Sequence, residues 1–275
     1  MPELPADLHE TIRRALDEDL GSGDVTTDSV VPEELEASGA FVAKASGVVA
    51  GSPVARRALA FLDDVRWTQH LDDGGWVDPG AVIAEVAGRA RVLLTSERVA
   101  LNFLTHLSGI ATLTREYVDA CAGTESVILC TRKTLPGLRA LERYAVEVGG
   151  GVLHRAGLYD AVLVKDNHVA IAGGVAEAVR RAREGTGLSI EVEVETLGQL
   201  DQALESGADR ILLDNPDAEL VKRAVDAVAD RVPLEVSGGM TVEKVREIAP
   251  LGPLLISVGR ITHSAPALDI SLDIT

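Results

Sequence analysis

The sequence predicts an α/β protein in two parts: an N-terminal α+β sandwich domain, then an incomplete βα-barrel of six or seven strands. Three observations predict it. After Gly123, short apolar runs alternate with amphipathic segments, and the middle runs are unbroken rather than alternating, as in parallel strands covered on both faces. A polar, charged or glycine residue follows each run: Arg132, Lys165, Glu195, Asp214, Ser237 and Gly259. These are the C-terminal strand ends, where such barrels carry their sites. Before Gly123 the runs are shorter and separated by turn signals, the pattern of an antiparallel layer.

In chain order, Leu8, Ile12, Ala15, Leu16 and Leu20 have helical spacing, so a helix is expected over Leu8 to Leu20. Gly21 to Asp28 reads as a loop, in which Asp24 and the threonines offer capping chemistry. Ala40–Ala43, Gly47–Ala50, Val65–His70 and Val82–Val86 read as strands, and Pro53–Leu62 as a helix. Ser96 to Val118 is helical by pattern and reads as two helices interrupted near Ser108-Gly109. Strands are then expected at Ser126–Leu129, Ala161–Val164, Ile190–Val194, Arg210–Leu213, Leu234–Val236 and Leu254–Val258. The helices between the later strands are Val175–Arg183, Leu197–Ser206, Ala218–Ala229 and Val242–Ala249. The length of chain that remains allows six or seven βα units rather than eight. A doubly wound open sheet is the alternative. The expected domains are residues 1–104 and 105–265, with the tail 266–275 returning to the first.

The chain has 275 residues, 46% of them hydrophobic, and a formal charge of −17. That balance disfavours nucleic acid and anionic membrane as partners. Two cysteines without metal-type spacing suit a reduced, cytoplasmic setting, and no apolar run approaches a membrane span.

Against this acidic background, Thr131 to Val169 gathers Arg132, Lys133, Arg139, Arg143, His154, Arg155, Lys165 and His168. Arg139 and Arg143, four apart in a helical pattern, read as a solvated face; His168 reads as a helix-start residue or a ligand contact, the structural role being favoured. Arg132, Lys133, His154, Arg155 and Lys165 sit at strand ends or in adjoining loops, an arrangement suited to a ligand with several anionic groups, and Arg98, in the helical segment before them, is a candidate to join them. Ser237-Gly238-Gly239 and Gly259 follow the last two strands, where backbone N–H groups approach a phosphate closely. His263 lies just beyond. Glu191, Glu193 and Glu195 alternate along one strand and Asp214 ends the next. These acids point either to Mg²⁺ shared with phosphate oxygens or to ion pairs with inward cations such as Lys165.

Together, EDLGSGDVTTD, SERVALNFLTHLSGIAT, TRKTLPGLRALERYAVEVGGG, HRAGLYDAVLVKDNHV, EVEVET, ILLDN, EVSGGM and GRITHSAPALDISLDI resemble the quinolinate phosphoribosyltransferase family (nicotinate-nucleotide pyrophosphorylase, carboxylating) over nearly the whole chain. Cys130 stands where the family usually carries an acidic residue, and Arg260 where a small one is expected. The resemblance implies phosphoribosyl transfer from phosphoribosyl pyrophosphate to quinolinate. Carbon dioxide and pyrophosphate leave and nicotinate mononucleotide remains, a step of NAD biosynthesis. It implies that Arg132, His154, Arg155 and Lys165 hold the dicarboxylate, with Arg98 reaching in from the second subunit of a homodimer. Lys133, Glu193 and Asp214 would attend phosphoribosyl pyrophosphate, Glu193 and Asp214 through Mg²⁺. Ser237, Gly238 and Gly259, with His263 in reach, would hold the 5′-phosphate. Related enzymes acting on nicotinate or encoded with molybdenum transport, and a non-catalytic sugar-phosphate-binding barrel, are the competing readings.

Overall fold

Helix α1 (Leu8–Leu20) forms because Leu8, Ile12 and Leu16 recur at helical spacing, and those three are the side chains it buries. The computed structural model to which it belongs describes residues 2–275. Asp24 then caps a second helix, α2 (Val25–Val30), accepting the Thr27 N–H at 2.9 Å and the Thr95 hydroxyl at 3.1 Å. The expected loop over Gly21–Asp28 is therefore corrected from Val25 onward: one capped amide is enough to start a turn of helix. Hydrogen bonds from Thr27 hold the Asp24 carboxyl below the usual carboxylate range. Asp24→Ala should cost about 1 kcal/mol in urea unfolding. A lowered pKa contributes stability above the ordinary carboxylate pKa, so the deficit should be full at neutral pH. It should vanish as pH falls through the folded-state value.

The chain continues through β1 (Glu36–Ala43), β2 (Gly47–Val48), α3 (Ser52–Leu59), β3 (Arg66–Gln69), β4 (Trp76–Val77), β5 (Val82–Arg89), α4 (Ala90–Ala120), β6 (Val127–Leu129) and α5 (Arg139–Val148). Then come β7 (Val162–Val164), α6 (Asp166–Ala172), α7 (Val175–Gly185), β8 (Ile190–Val194), α8 (Leu197–Glu205), β9 (Arg210–Asp214), α9 (Ala218–Val228), β10 (Leu234–Ser237), α10 (Val242–Ile248), β11 (Leu254–Ser257), α11 (Arg260–His263) and β12 (Ile270–Ile274). No helix among the described residues is long and apolar enough to cross a membrane.

By packing, the chain divides into two units that do not follow the expected boundary after residue 104. One comprises the residues up to Arg115, Thr134–Gly150 and Thr262–Thr275; the other comprises Glu116–Lys133 and Gly151–Ile261. The first unit holds an antiparallel sheet in the order β12-β1-β5-β3. The tail does return: β12 pairs with β1 from Gly39–Ile274 to Ala43–Ile270. Phe41 and Ala43 of β1 are fully buried, as are Val54, Ala55 and Leu59 of α3, which packs on α1.

The expected break near Ser108-Gly109 does not occur; α4 runs unbroken for 31 residues. The Ser108 hydroxyl accepts the Ala50 N–H at 2.9 Å and donates to the Ala50 carbonyl at 3.1 Å. At Gly109 a Cβ would sit 2.1 Å from the Pro266 carbonyl oxygen. Glycine there permits close approach of two backbones, and that packing outweighs its helix penalty of roughly 1 kcal/mol. Arg139 and Arg143 are half-buried rather than solvated, and Arg139 Nε donates to Thr134 Oγ1 at 3.1 Å.

The second unit is a parallel sheet of six strands in the order β6-β11-β10-β9-β8-β7, with Val152 forming one further parallel bridge to Leu129. Val192, Ile211, Leu213, Val236 and Ile256 are fully buried along it. Thr196, Asp217 and Thr241 cap α8, α9 and α10, so each helix starts within a few residues of a strand end.

Candidate active site

The second unit brings two of the expected cations, Arg132 and Arg155, together. Arg132, just past β6, is half-buried, and its Nε is buried without a hydrogen-bond partner. Arg155 comes from the irregular segment 151–161 and donates from Nη1 to the Ala161 carbonyl at 3.2 Å. Burial, and then the Arg132 cation, weaken its charged form. A buried guanidinium N–H without an acceptor, set against a second guanidinium, is a place built for an anion.

Strand register brings the next pair together. Val164 of β7 is level with Val192 of β8, so Lys165 falls opposite Glu193. Lys165 Nζ lies 2.6 Å from Glu193 Oε2, with the lysine side chain 47% exposed and the glutamate 14%. The cation therefore faces outward, available to a ligand, while the ion-pair alternative for Glu193 is realised. His168 Nδ1 accepts the Lys165 N–H at 2.9 Å and helps cap α6, the helix-start role expected of it. Lys133 is exposed, and its N–H donates to Thr131 Oγ1 at 3.1 Å. Glu195 lies past the end of β8, exposed.

Asp214 and Ser237 are paired across β9 and β10, and their loops interlock. Asn215, in the left-handed region at φ 50°, donates its N–H to the Ser237 carbonyl at 2.8 Å and its amide to Asp214 Oδ2 at 2.7 Å. Gly238 has φ 93°, and a Cβ there would lie 2.1 Å from Asn215 Oδ1. No other residue fits between Ser237 and Gly239. Gly259 follows β11 and leads into α11. Arg98 and His263 belong to the first unit: Arg98 is exposed on α4, and His263 is exposed with Nδ1 2.6 Å from Ser264 Oγ.

His154 differs from its expected ligand-facing role, because both ring nitrogens are engaged by the protein. Nε2 lies 3.0 Å from Glu191 Oε2 and 3.2 Å from Glu235 Oε2, and Nδ1 accepts the Arg155 N–H at 2.7 Å. Its side chain is only 9% exposed. Burial opposes the charged ring, and the hydrogen bonds to Glu191 and Glu235 favour it. The Arg155 N–H works the other way, since a proton on Nδ1 would meet a donor; the geometry favours the Nε2–H tautomer. Burial also pushes Glu191 up to about 7.

Residues 110–273 match the family description "Quinolinate phosphoribosyl transferase, C-terminal domain", and residues 24–108 match its N-terminal domain. This chain belongs to the quinolinate phosphoribosyl transferase family. A "Nicotinate-nucleotide pyrophosphorylase [carboxylating]" of Mycobacterium leprae is 46% identical over 276 residues, covering 96% of each chain. A "Probable nicotinate-nucleotide pyrophosphorylase [carboxylating]" of Bacillus subtilis is 44% identical over 262 residues, covering 94% of this chain and 90% of its own. The solved structure of the nicotinate-nucleotide pyrophosphorylase from Francisella tularensis superposes with a TM-score of 0.95 at 37% identity, covering 99% of this chain and 98% of that one.

For this family member, two groups of acids bear on metal. Glu193 and Asp214 are hard oxygen donors at neighbouring strand ends, each with one oxygen taken by Lys165 or Asn215. That donor chemistry suits Mg²⁺. The donor atoms of His154, Glu191 and Glu235 also lie within 4.8 Å of one another. An imidazole that ligates through Nε2 carries its proton on Nδ1 and donates it. Here Nδ1 faces a donor, so the second group is a hydrogen-bonded cluster and not a metal site. Glu235, Ser257 and Arg210, which complete that cluster, were not singled out from sequence. The signal was present: Glu235 is a charged residue in the middle of an otherwise apolar buried strand.

Proposed function

We propose that this chain transfers the phosphoribosyl group of phosphoribosyl pyrophosphate to the ring nitrogen of quinolinate, with decarboxylation to nicotinate mononucleotide in NAD biosynthesis. The observation that carries this reading is the unpartnered Arg132 Nε beside Arg155, a two-guanidinium receptor in an otherwise acidic protein. Two forks suit two adjacent ring carboxylates; a ring with one carboxylate would leave a cation unmatched. Lys165, exposed at a strand end, adds a third positive charge.

In the transfer, the quinolinate nitrogen attacks the anomeric carbon as the bond to pyrophosphate breaks. The sugar carries oxocarbenium-like positive charge, which the Glu193 and Asp214 carboxylates favour electrostatically. Lys133 attends the departing pyrophosphate. Backbone amides at Gly238 and Gly259, with the Ser237 hydroxyl, take the 5′-phosphate. Mg²⁺ held through Glu193 and Asp214 would neutralise charge on the leaving oxygens. The ring carboxylate beside the new bond then leaves as CO2, its electron pair stays on the ring carbon, and a proton replaces it. Arg132, Arg155 and Lys165 stabilise that anionic carbon best if they do not hold the leaving carboxylate tightest. We further infer a cytoplasmic homodimer in which the exposed Arg98 completes the partner's site.

Purified protein with phosphoribosyl pyrophosphate and Mg²⁺ should release CO2 from quinolinate. It should use nicotinate at least roughly 10²-fold less well in kcat/KM, because nicotinate leaves a buried donor unpaired. Equal turnover of nicotinate would sink the assignment.

A further inference from the structure

A receptor for a dianion gains nothing from buried carboxylates, yet Glu191 and Glu235 are 5% and 1% exposed inside the same unit. Each lies in a strand interior. Glu191 is two residues before Glu193 on β8, and Glu235 is two before Ser237 on β10. Burying a carboxylate is costly unless each oxygen is matched, and Glu235 is matched throughout. Its Oε1 accepts the Ser257 hydroxyl at 2.6 Å; its Oε2 faces His154 Nε2 at 3.2 Å and Arg210 Nη1 at 3.4 Å. Beyond His154 the path continues through Nδ1 to the Arg155 N–H.

That path ends in an irregular stretch whose other anchors lie to either side of His154: the Val152 N–H donates to the Ile128 carbonyl at 2.8 Å, and Asp160 accepts the Ala156 and Gly157 N–H groups at 2.6 and 3.0 Å. Residues 151–161 form neither helix nor strand beyond the single Val152 bridge, and Leu158 and Tyr159 are about three-quarters exposed, at 75% and 77%. Fixing each backbone residue costs roughly 1–2 kcal/mol of conformational entropy, so such a stretch stays in place only where something anchors it. Ser257 and Glu235 stand on β11 and β10, the middle of the sheet.

We propose that Glu235 is a positioning residue: through His154 it fixes the main chain at Arg155 and so aims the guanidinium at the anion. The inference rests on the function proposed above only for the identity of that anion. Glu191 serves as a second acceptor on His154 Nε2, which keeps the proton on that nitrogen and leaves Nδ1 free to receive the Arg155 amide. The chain of contacts explains why an acid is required in an apolar strand. A neutral side chain of equal size would not hold the imidazole by a charge-assisted bond, which is about twice as strong as a neutral one.

The test compares wild-type protein with Glu235→Gln by two measurements. Hydrogen exchange on the full chain without substrate should show the amides of residues 153–161 exchanging on the order of 10-fold faster or more. Amides of β8 and β9 should be unchanged. In steady-state kinetics, KM for quinolinate should rise on the order of 10–100-fold, the worth of a charged hydrogen bond. KM for phosphoribosyl pyrophosphate should stay within about threefold, a split that general loss of structure would not give. Ser257→Ala, which removes one of Glu235's bonds and keeps the carboxylate, should repeat the pattern at smaller amplitude and serves if Glu235→Gln does not fold. Unchanged exchange at 153–161, or equal change in both KM values, would overturn the proposal. If wild-type protein ignores quinolinate, the functional reading fails while the exchange measurement still decides this one.

Discussion

Arg132→Ala is expected to lower kcat/KM for quinolinate by roughly 10²–10³-fold, the range for truncating one partner of a buried charged hydrogen bond. It is expected to do so without unfolding anything. Arg132 Nε has no partner within the protein, so its removal orphans nothing, and Arg155 is relieved of a neighbouring cation. The melting temperature should therefore hold or rise, the signature of a residue kept for function at some expense to stability. Arg132→Lys should recover little, because a point charge cannot make the bidentate contact of a guanidinium fork. Calorimetric titration with quinolinate and a thermal melt on the same samples decide the matter. A clear fall in melting temperature, with quinolinate affinity intact, would make Arg132 a structural residue and remove the main support for the dicarboxylate.

Arg98→Ala and Lys165→Ala are each expected to leave almost no activity as separate proteins, and their mixture is expected to recover about one quarter of the wild-type level. Arg98 is exposed on α4, in the first packing unit, whereas Lys165 stands at the end of β7 in the second. If Arg98 serves the partner's site across a two-fold axis, a mixed dimer carries one site with both cations and one with neither. Random reassembly makes half the dimers mixed, which gives the quarter. If Arg98 serves its own subunit, every site in the mixture lacks one cation and nothing returns. Subunit exchange confirmed by native mass spectrometry, with no recovered activity, would end the shared-site reading.

What could be seen in the sequence followed periodicity. The six strands of the second unit and α7 to α10 lie close to where their apolar runs placed them, because parallel strands buried on both faces leave a plain signal. Arg132, Lys165 and Asp214 were visible as charged residues following those runs, Glu193 as one of three acids alternating along a strand, and Arg155 as a cation beyond a run of glycines. Other features depended on partners far along the chain. The continuity of α4 through Ser108-Gly109 rests on Ala50 and Pro266, and local propensity contains neither. The extension of structure past Asp24 rests partly on Thr95. His154 illustrates the limit most clearly. As a histidine beside an arginine it read as a ligand contact, but Glu191 and Glu235 from two other strands engage its Nε2. Only the fold makes those three residues neighbours.

The antiparallel sheet of the first unit has a consequence for biosynthesis. Its strand β1 emerges early, but the partner on one of its edges is β12, and Ser38 and Thr275, which share a hydrogen bond at 3.1 Å, are 237 positions apart. At typical translation speeds of 5–20 residues per second, that edge waits roughly ten to fifty seconds for its partner. During that time its unpaired amides and carbonyls are open to any other extended strand, including those of a neighbouring nascent chain. Ribosome stalling in the last βα units would therefore threaten solubility through the antiparallel sheet begun first, not through the parallel sheet still being completed.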